Sequence, residues 1–384
     1  MRLLDSVDAC LVHPTEGIQT SAARALNALL AKYFPVGGNG PSMRLQQRVV
    51  DKYMSKVQTE DNPAATRGFS LALGHLPAKL LAPSFEVLDS VLTCLCNASK
   101  KDCLIGGEGD AETRRNSITS LVSVCTTVGI YKGELSVADG VTFHTYRLRK
   151  TETDRVFASL LAAMEDYNFD RRGDVGSWSR IAAMDGLEAL IKLAIKASSN
   201  FPHTFGKDSK FPPEDIVVPS LKERLDFLMD RSPINDQLSS REKDDKAYID
   251  EHLCCSILSA LLKQLGEKLD TVRCKAGECL QRILTDVSPR LPFVPNRCML
   301  AETLNIQEST TNWSDPSQTF PLLLRAINIE EFLEPILNGL VISVGGLTES
   351  VSKSSIASLF EWIRALRAAN ATSRILRMGE GENK

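Results

Sequence analysis

His252-Leu253-Cys254-Cys255 is the densest gathering of metal-ligating residue types in the chain. A tetrahedral zinc site needs four such ligands, commonly as two half-sites of C-x-x-C or H-x-x-x-H spacing. The surrounding sequence reads as helix, where adjacent side chains point about 100° apart, so Cys254 and Cys255 diverge. No second half-site follows. Cys94 with Cys96, and Cys274 with Cys279, read as small apolar residues of helix cores. The expectation is no metal site and no cofactor.

Phosphate and acyl chemistry lack residues too. Gly37, Gly38 and Gly40 precede Pro41, and Gly106, Gly107 and Gly109 precede Asp110. Neither run continues into Gly-Lys-Ser/Thr or completes G-x-G-x-x-G after a strand, so both read as turns between helices. No Gly-x-Ser-x-Gly elbow occurs, and the five histidines, spread from His13 to His252, give no serine or cysteine an assignable base. No catalytic residue is assigned and the chain is read as not an enzyme. An enzyme would need a site assembled only in three dimensions.

Charge narrows the partners. Lys plus Arg number 45 and Asp plus Glu 48, a net −3 that gives no bulk attraction to nucleic acid or to an anionic membrane. Arg147, Arg149 and Lys150, near His144 and Tyr146, form the most basic short stretch, but Glu152 and Asp154 follow, which marks a solvated loop. The least polar stretch, 335–347, has 13 residues without a charge, whereas a spanning helix needs about 20 apolar residues. Met1-Arg2-Leu3-Leu4-Asp5 meets a charge before any apolar signal core, so the ten cysteines are expected to be reduced thiols of a cytosolic protein.

The elements that would carry a site repeat. One stripe has an apolar residue, a polar neighbour, a small residue at +4 and large apolar residues at +8 and +11. Its clearest copy is Val272, Arg273, Ala276, Leu280 and Ile283, with Asp270 as a plausible N-cap. Further copies begin at Ile18, Ala65, Thr113, Ser179 and Val351. The spacing of the first three anchors suits helical-pair repeats. A pair cannot bury its apolar face alone, so neighbours stack, which predicts an all-α, HEAT/armadillo-like helical-repeat solenoid. Preceding helices are expected at 43–57, 84–97, 153–166, 246–269 and 330–344.

The divisions read as repeats 1–3 over 1–131, an irregular insertion over 132–153 and repeat 4 over 154–197. A proline-rich loop over 198–219, repeat 5 over 220–285, a second proline-rich loop over 286–321, repeat 6 over 322–370 and a disordered tail over 371–384 complete the chain. Any sheet is expected to be a short hairpin near 135–148. Arg114, Arg180 and Arg273 sit in the polar slot, with Asp110, Asp174 and Asp270 upstream. Two readings of these arginines stay open: a ladder linking Arg of one repeat to Asp of another, and solvated surface charge.

Arg172-Gly173-Asp174 reads as a turn leading into a helix that starts near Gly176. Trp178 suits either a core position or an anchor for a partner. Arg171, Arg172, Asp174 and Trp178 form the candidate partner-binding set, because aromatic and arginine side chains dominate interface hot spots.

The run DYNFDRRGDVGSWSR at 166–180 resembles the signature segment of the tubulin-folding cofactor D (tubulin-specific chaperone D) family. NPAATRGFSLALG at 62–74 and TETDRVF at 151–157 add to the likeness, which runs over most of 10–365. The resemblance implies a helical solenoid that binds β-tubulin, joins other tubulin-folding cofactors and an ADP-ribosylation-factor-like small GTPase, and takes part in assembly and disassembly of the αβ-tubulin dimer. It also implies a cytoplasmic, cytoskeleton-associated chaperone. Stimulation of GTP hydrolysis on tubulin is shared with other cofactors in that family, so no catalytic arginine is carried over. Members are much longer, and this chain looks like their C-terminal third, so weak or partial tubulin binding is expected of it alone. A helical-repeat scaffold or transport adaptor for other proteins is the competing reading.

Overall fold

A computed structural model describes residues 2–33, 43–59, 62–100, 110–130, 146–198, 248–285, 291–306, 311–346 and 348–381. Helix starts follow local chemistry. Asn62 accepts a hydrogen bond from the Ala64 N–H at 3.0 Å, and Pro63 occupies the first turn, where its missing N–H costs nothing. Asp110 caps its helix through the Thr113 N–H at 2.9 Å, and Asp250 through that of Leu253 at 2.8 Å.

Five pairs result: α1 (Arg2–Leu11) with α2 (Glu16–Tyr33), α3 (Met43–Thr59) with α4 (Pro63–Leu73), and, after the short α5 (Ala78–Leu81), α6 (Phe85–Ala98) with α7 (Ala111–Val128). Then come α8 (Lys150–Ala163) with α9 (Gly176–Ser198), and α10 (Glu251–Leu265) with α11 (Asp270–Thr285). The second helices α2, α4, α7, α9 and α11 pack in succession, and the first helices α3, α6, α8 and α10 line the other side. The stripe supplies the shared core: Phe69, Leu73, Leu121, Val124, Leu187, Leu190, Val272 and Leu280 are buried in it. The chain is thus an all-α helical-repeat solenoid.

The polar-slot arginines resolve as a buried ladder. Arg114, Arg180 and Arg273 are among the largest fully enclosed side chains, at 2%, 0% and 1% exposure, so the solvated reading of them fails. Each second helix reaches from its first turns to the bend that begins the next second helix. Gln19 of α2 donates to the Ala64 carbonyl at 2.7 Å, Arg67 of α4 to Asp110 at 2.5 Å, and Arg114 of α7 to Asp166 at 2.8 Å. Arg180 of α9 lies 4.0 Å from Glu267, and Arg273 of α11 donates to the Ser314 carbonyl at 2.5 Å. Burial lowers the Arg273 pKa, against the pull of Asp270 and Glu267. The carboxylates come mainly from the bend ahead, as a ladder between repeats requires, with Asp110 receiving Arg67 and Asp166 receiving Arg114; Asp174, which serves Arg180 of its own repeat, is the exception.

Several expectations need correction. Asp270 lies inside the first turn of α11 instead of capping it. Ile18 is exposed at 38%, because it stands on the outermost described pair. The hairpin joins β1 (Phe169–Asp170) to β2 (Gly173–Asp174); near 135–148 only the Ile130–Leu148 bridge falls within the described residues. Helix α8 begins at Lys150, so repeat 4 starts inside the expected insertion: Glu152 accepts the Arg149 N–H at 2.9 Å and nucleates the turn. The expected loop over 198–219 and the start of repeat 5 at 220 lie outside the described residues, Ser198 excepted.

The stretch 286–321 is not all loop. It holds α12 (Arg297–Thr303) and the start of α13 (Pro316–Ala326), since Pro316 at the first helical position, capped by Asp315, opens a helix instead of breaking one. The bend before α13 receives Arg273, which extends the ladder past the fifth pair. A 3-10 turn (Glu330–Phe332) leads into α14 (Leu333–Val344), which packs on α10, and α15 (Glu349–Gly381) lies across α13 and α14. Helix α15 also continues through most of the expected tail, where Ala371, Arg374, Leu376, Arg377 and Met378 are strong helix formers.

Candidate functional site

The bend between α8 and α9 carries the segment 166–180. Its inner side is a set of buried polar contacts. Asp166 accepts the Asn168 N–H at 3.1 Å and Arg114 Nε at 2.8 Å through its carboxylate, while its carbonyl accepts Arg180 Nη1 at 2.6 Å. Asp174 accepts both Nη groups of Arg180, at 3.2 and 3.0 Å, and the Ser177 N–H at 3.1 Å. The Arg180 guanidinium lies 4.4 Å from the Tyr167 ring centroid, and Gln264 of α10 donates to the Tyr167 hydroxyl at 3.1 Å and the Met164 carbonyl at 2.9 Å. Burial, with the Glu267 carboxylate nearby, raises the Tyr167 phenol above its ordinary pKa.

Two glycines make this bend possible. Gly173 has φ +104°, which L side chains rarely adopt, and closes the two-residue turn of the hairpin. Gly176 opens α9 against the bend, where a Cβ would stand 2.1 Å from the Asp166 carbonyl oxygen. The segment thereby clamps the third, fourth and fifth pairs together.

Its outer side faces solvent. Phe169 is 61% exposed, and Arg171 at the hairpin turn is exposed. Among the described residues no hydrogen bond or ion pair holds Arg171. Arg172 is held in place: it donates to Glu112 at 2.5 Å and to Asp170 at 2.8 Å, while its guanidinium sits 4.9 Å from the Trp178 ring centroid. The hydrogen bonds to Asp170 and Glu112 raise its pKa further above the usual arginine value. Arg115 approaches the same indole at 5.9 Å and pairs with Glu16 at 2.7 Å. Arg67 comes within 3.6 Å of Glu112. Burial pushes the Asp110 carboxyl up, but the hydrogen bonds from Arg67 and the Thr113 N–H outweigh it and hold the carboxyl below its ordinary value.

The four expected site residues therefore divide. Arg171, Arg172 and Trp178 share the outer surface, and Trp178 is half-buried under guanidinium groups rather than set in the core. The Asp174 side chain, only 6% exposed, turns inward onto Arg180. Phe169, Glu112 and Arg115 complete the surface and escaped the sequence reading. Glu112 and Arg115 have the i, i+3 spacing of one helix face, but only the stacking of α7 on α9 brings them to Trp178.

The other motifs disperse. His252 is exposed, Cys255 is half-buried, and buried Cys254 donates to the Pro292 carbonyl at 3.0 Å. Burial pushes the Cys254 thiol to about 12. Among the described residues no three His, Cys, Asp or Glu side chains are placed to hold a metal ion, and no helix is long and apolar enough to cross a membrane.

Residues 255–380 match the family model described as tubulin folding cofactor D C terminal. The chain is also 26% identical over 373 residues to tubulin-specific chaperone D of Dictyostelium discoideum, an alignment covering 94% of this chain. The chain spans 22% of the length of that relative. Both comparisons bear out the resemblance read from the sequence: the chain is similar to the C-terminal region of tubulin folding cofactor D.

Proposed function

We propose that this chain is a non-enzymatic chaperone module of tubulin folding. It holds β-tubulin and works with other tubulin-folding cofactors and an ADP-ribosylation-factor-like small GTPase in assembling and disassembling the αβ-tubulin dimer in the cytoplasm, beside the cytoskeleton. The observation that carries this reading is the likeness to tubulin-specific chaperone D across 94% of the chain. The outer surface of 166–180 is the contact we assign: Arg171 offers an exposed charge, Arg172 and Arg115 hold Trp178 in place, and Phe169 stands ready to be covered. Such a patch suits a partner that presents carboxylates around an apolar anchor, because ordered aromatic and arginine groups lose little freedom on binding.

Stimulation of GTP hydrolysis, in this reading, belongs to the assembly with other cofactors and not to a residue of this chain. Because the chain spans 22% of the relative's length, residues 1–384 alone are expected to bind tubulin weakly. Affinity capture from cytosol tests the proposal: recovery of tubulin with other folding cofactors supports it, whereas nuclear cargo or phosphatase subunits without tubulin would replace it with a transport or scaffold role.

A further inference from the structure

Glu112 stands between two guanidinium groups that belong to different helix pairs. It lies in the first turn of α7, two residues after the cap Asp110, where the positive end of the helix favours a carboxylate. Its Oε1 accepts Arg172 Nη1 of the hairpin segment at 2.5 Å, and its Oε2 is 3.6 Å from Arg67 Nη2 of α4. That Oε2 is buried and accepts no hydrogen bond among the described residues. It is held by charge instead of a fixed bond, so it can respond when either cation moves. Arg67 grips Asp110 through Nε at 2.7 Å and Nη2 at 2.5 Å, and the same Nη2 is the group that leans on Glu112. The Asp110 hydrogen bond raises the Arg67 pKa, while burial and the neighbouring Arg172 charge work against that rise. Two like charges thus share one counter-ion. The guanidinium groups described near the Trp178 ring are those of Arg172 and Arg115, at 4.9 and 5.9 Å, so the contacts give Arg67 a route to the indole through Glu112 and Arg172.

We infer that Glu112 is a positioning residue: it seats Arg172 over Trp178 and makes that seat depend on the Arg67–Asp110 rung between the second and third pairs. Removing Arg67 leaves the carboxylate to Arg172 alone, and drawing Arg172 away leaves it to Arg67. This coupling is a property of the free chain. Its use by a partner rests on the outer side of 166–180 being the contact. Carboxylates that recruit Arg172 are then felt at the junction of α4 and α7, and by linkage the state of that junction sets how readily Arg172 is given up.

Fluorine NMR of the full chain labelled with 5-fluorotryptophan tests this, because the chain has three tryptophans, at 178, 313 and 362, and Trp178→Phe assigns the resonance of interest. Arg67→Gln is expected to shift the Trp178 resonance and to leave those of Trp313 and Trp362 in place. In a Glu112→Gln background, where the side chain keeps its shape and loses its charge, Arg67→Gln is expected to add no further shift, which is the sign of a shared intermediary. Arg67→Lys keeps the charge of the rung and loses the fork that reaches both carboxylates. It is read the same way if Arg67→Gln does not fold. A Trp178 resonance indifferent to the Arg67 variants overturns the inference, and so does an equal shift with and without the Glu112 charge, which would mark general loosening between the pairs. The expected cycle together with undiminished tubulin capture by Glu112→Gln supports the coupling while removing the outer side as the tubulin contact, so the two readings fail separately.

Discussion

Arg180 and Arg172 stand on the same short segment, yet Arg180 is fully enclosed while the Arg172 side chain is 41% exposed. Around Arg180 lie two carboxylates, a carbonyl and an aromatic ring drawn from the fourth and fifth pairs. Around Arg172 lie a turn aspartate, a glutamate of α7 and the face of Trp178. The buried guanidinium is committed to joining repeats, because any partner removed would leave a desolvated charge. The exposed one is ordered without being enclosed, which leaves it and Trp178 available to another molecule. One short segment thus holds repeats together on one side and leaves its other side open to solvent.

Breaking the inner side should have the largest effect. Arg180→Ala leaves Asp174 and Glu267 buried without their guanidinium and is expected to cost about 3–5 kcal/mol in chemical denaturation. Gly176→Ala comes next: its Cβ would meet the Asp166 carbonyl, and the resulting overpacking is expected to cost about 1–3 kcal/mol, read as a lowered melting temperature.

The Arg67–Asp110 rung, more exposed than the Arg114 and Arg180 rungs, sharpens the comparison through pH. The Asp110 carboxyl titrates below its unfolded value of about 3.9. Its stabilising contribution is therefore fully present above about pH 4 and is lost as pH falls through the lower folded value. An Asp110→Asn variant should show a shallower loss of stability than the parent over that acid range. Trp178→Ala on the outer side should cost the fold only about 0.5–1 kcal/mol, the size of a partly exposed cation–π contact.

Four of the five helix pairs, and the second helix of the first pair, are legible because their stripe is set by burial, and burial is written in residue type at 3.6-residue spacing. The reading failed where a residue has two roles. Pro316 and Pro321 suggested a loop, but Pro316 at a first helical turn starts α13 and Pro321 lies inside it. The arginines of the polar slot and a ladder between repeats are visible in the sequence, but the bends that receive Arg114, Arg180 and Arg273 lie far along the chain, so Asp166, Glu267 and Ser314 cannot be picked out from it. At the candidate site Arg171, Arg172 and Trp178 stood out by type. Arg115 and Glu112 did not, because their nearness to Trp178 depends on helix stacking, and Asp174 suits both the ladder and the partner-binding set because nothing in the sequence shows which way a turn carboxylate points.

The proposed contact is the outer side of 166–180, with the inner side only holding it in place. Capture of purified tubulin by the intact chain, compared with Arg171→Glu/Trp178→Ala, tests this most directly when the melting temperature of each is recorded alongside. The double variant is expected to lose most of the captured tubulin while its melting temperature moves little. Tubulin capture equal to that of the unaltered chain would contradict it.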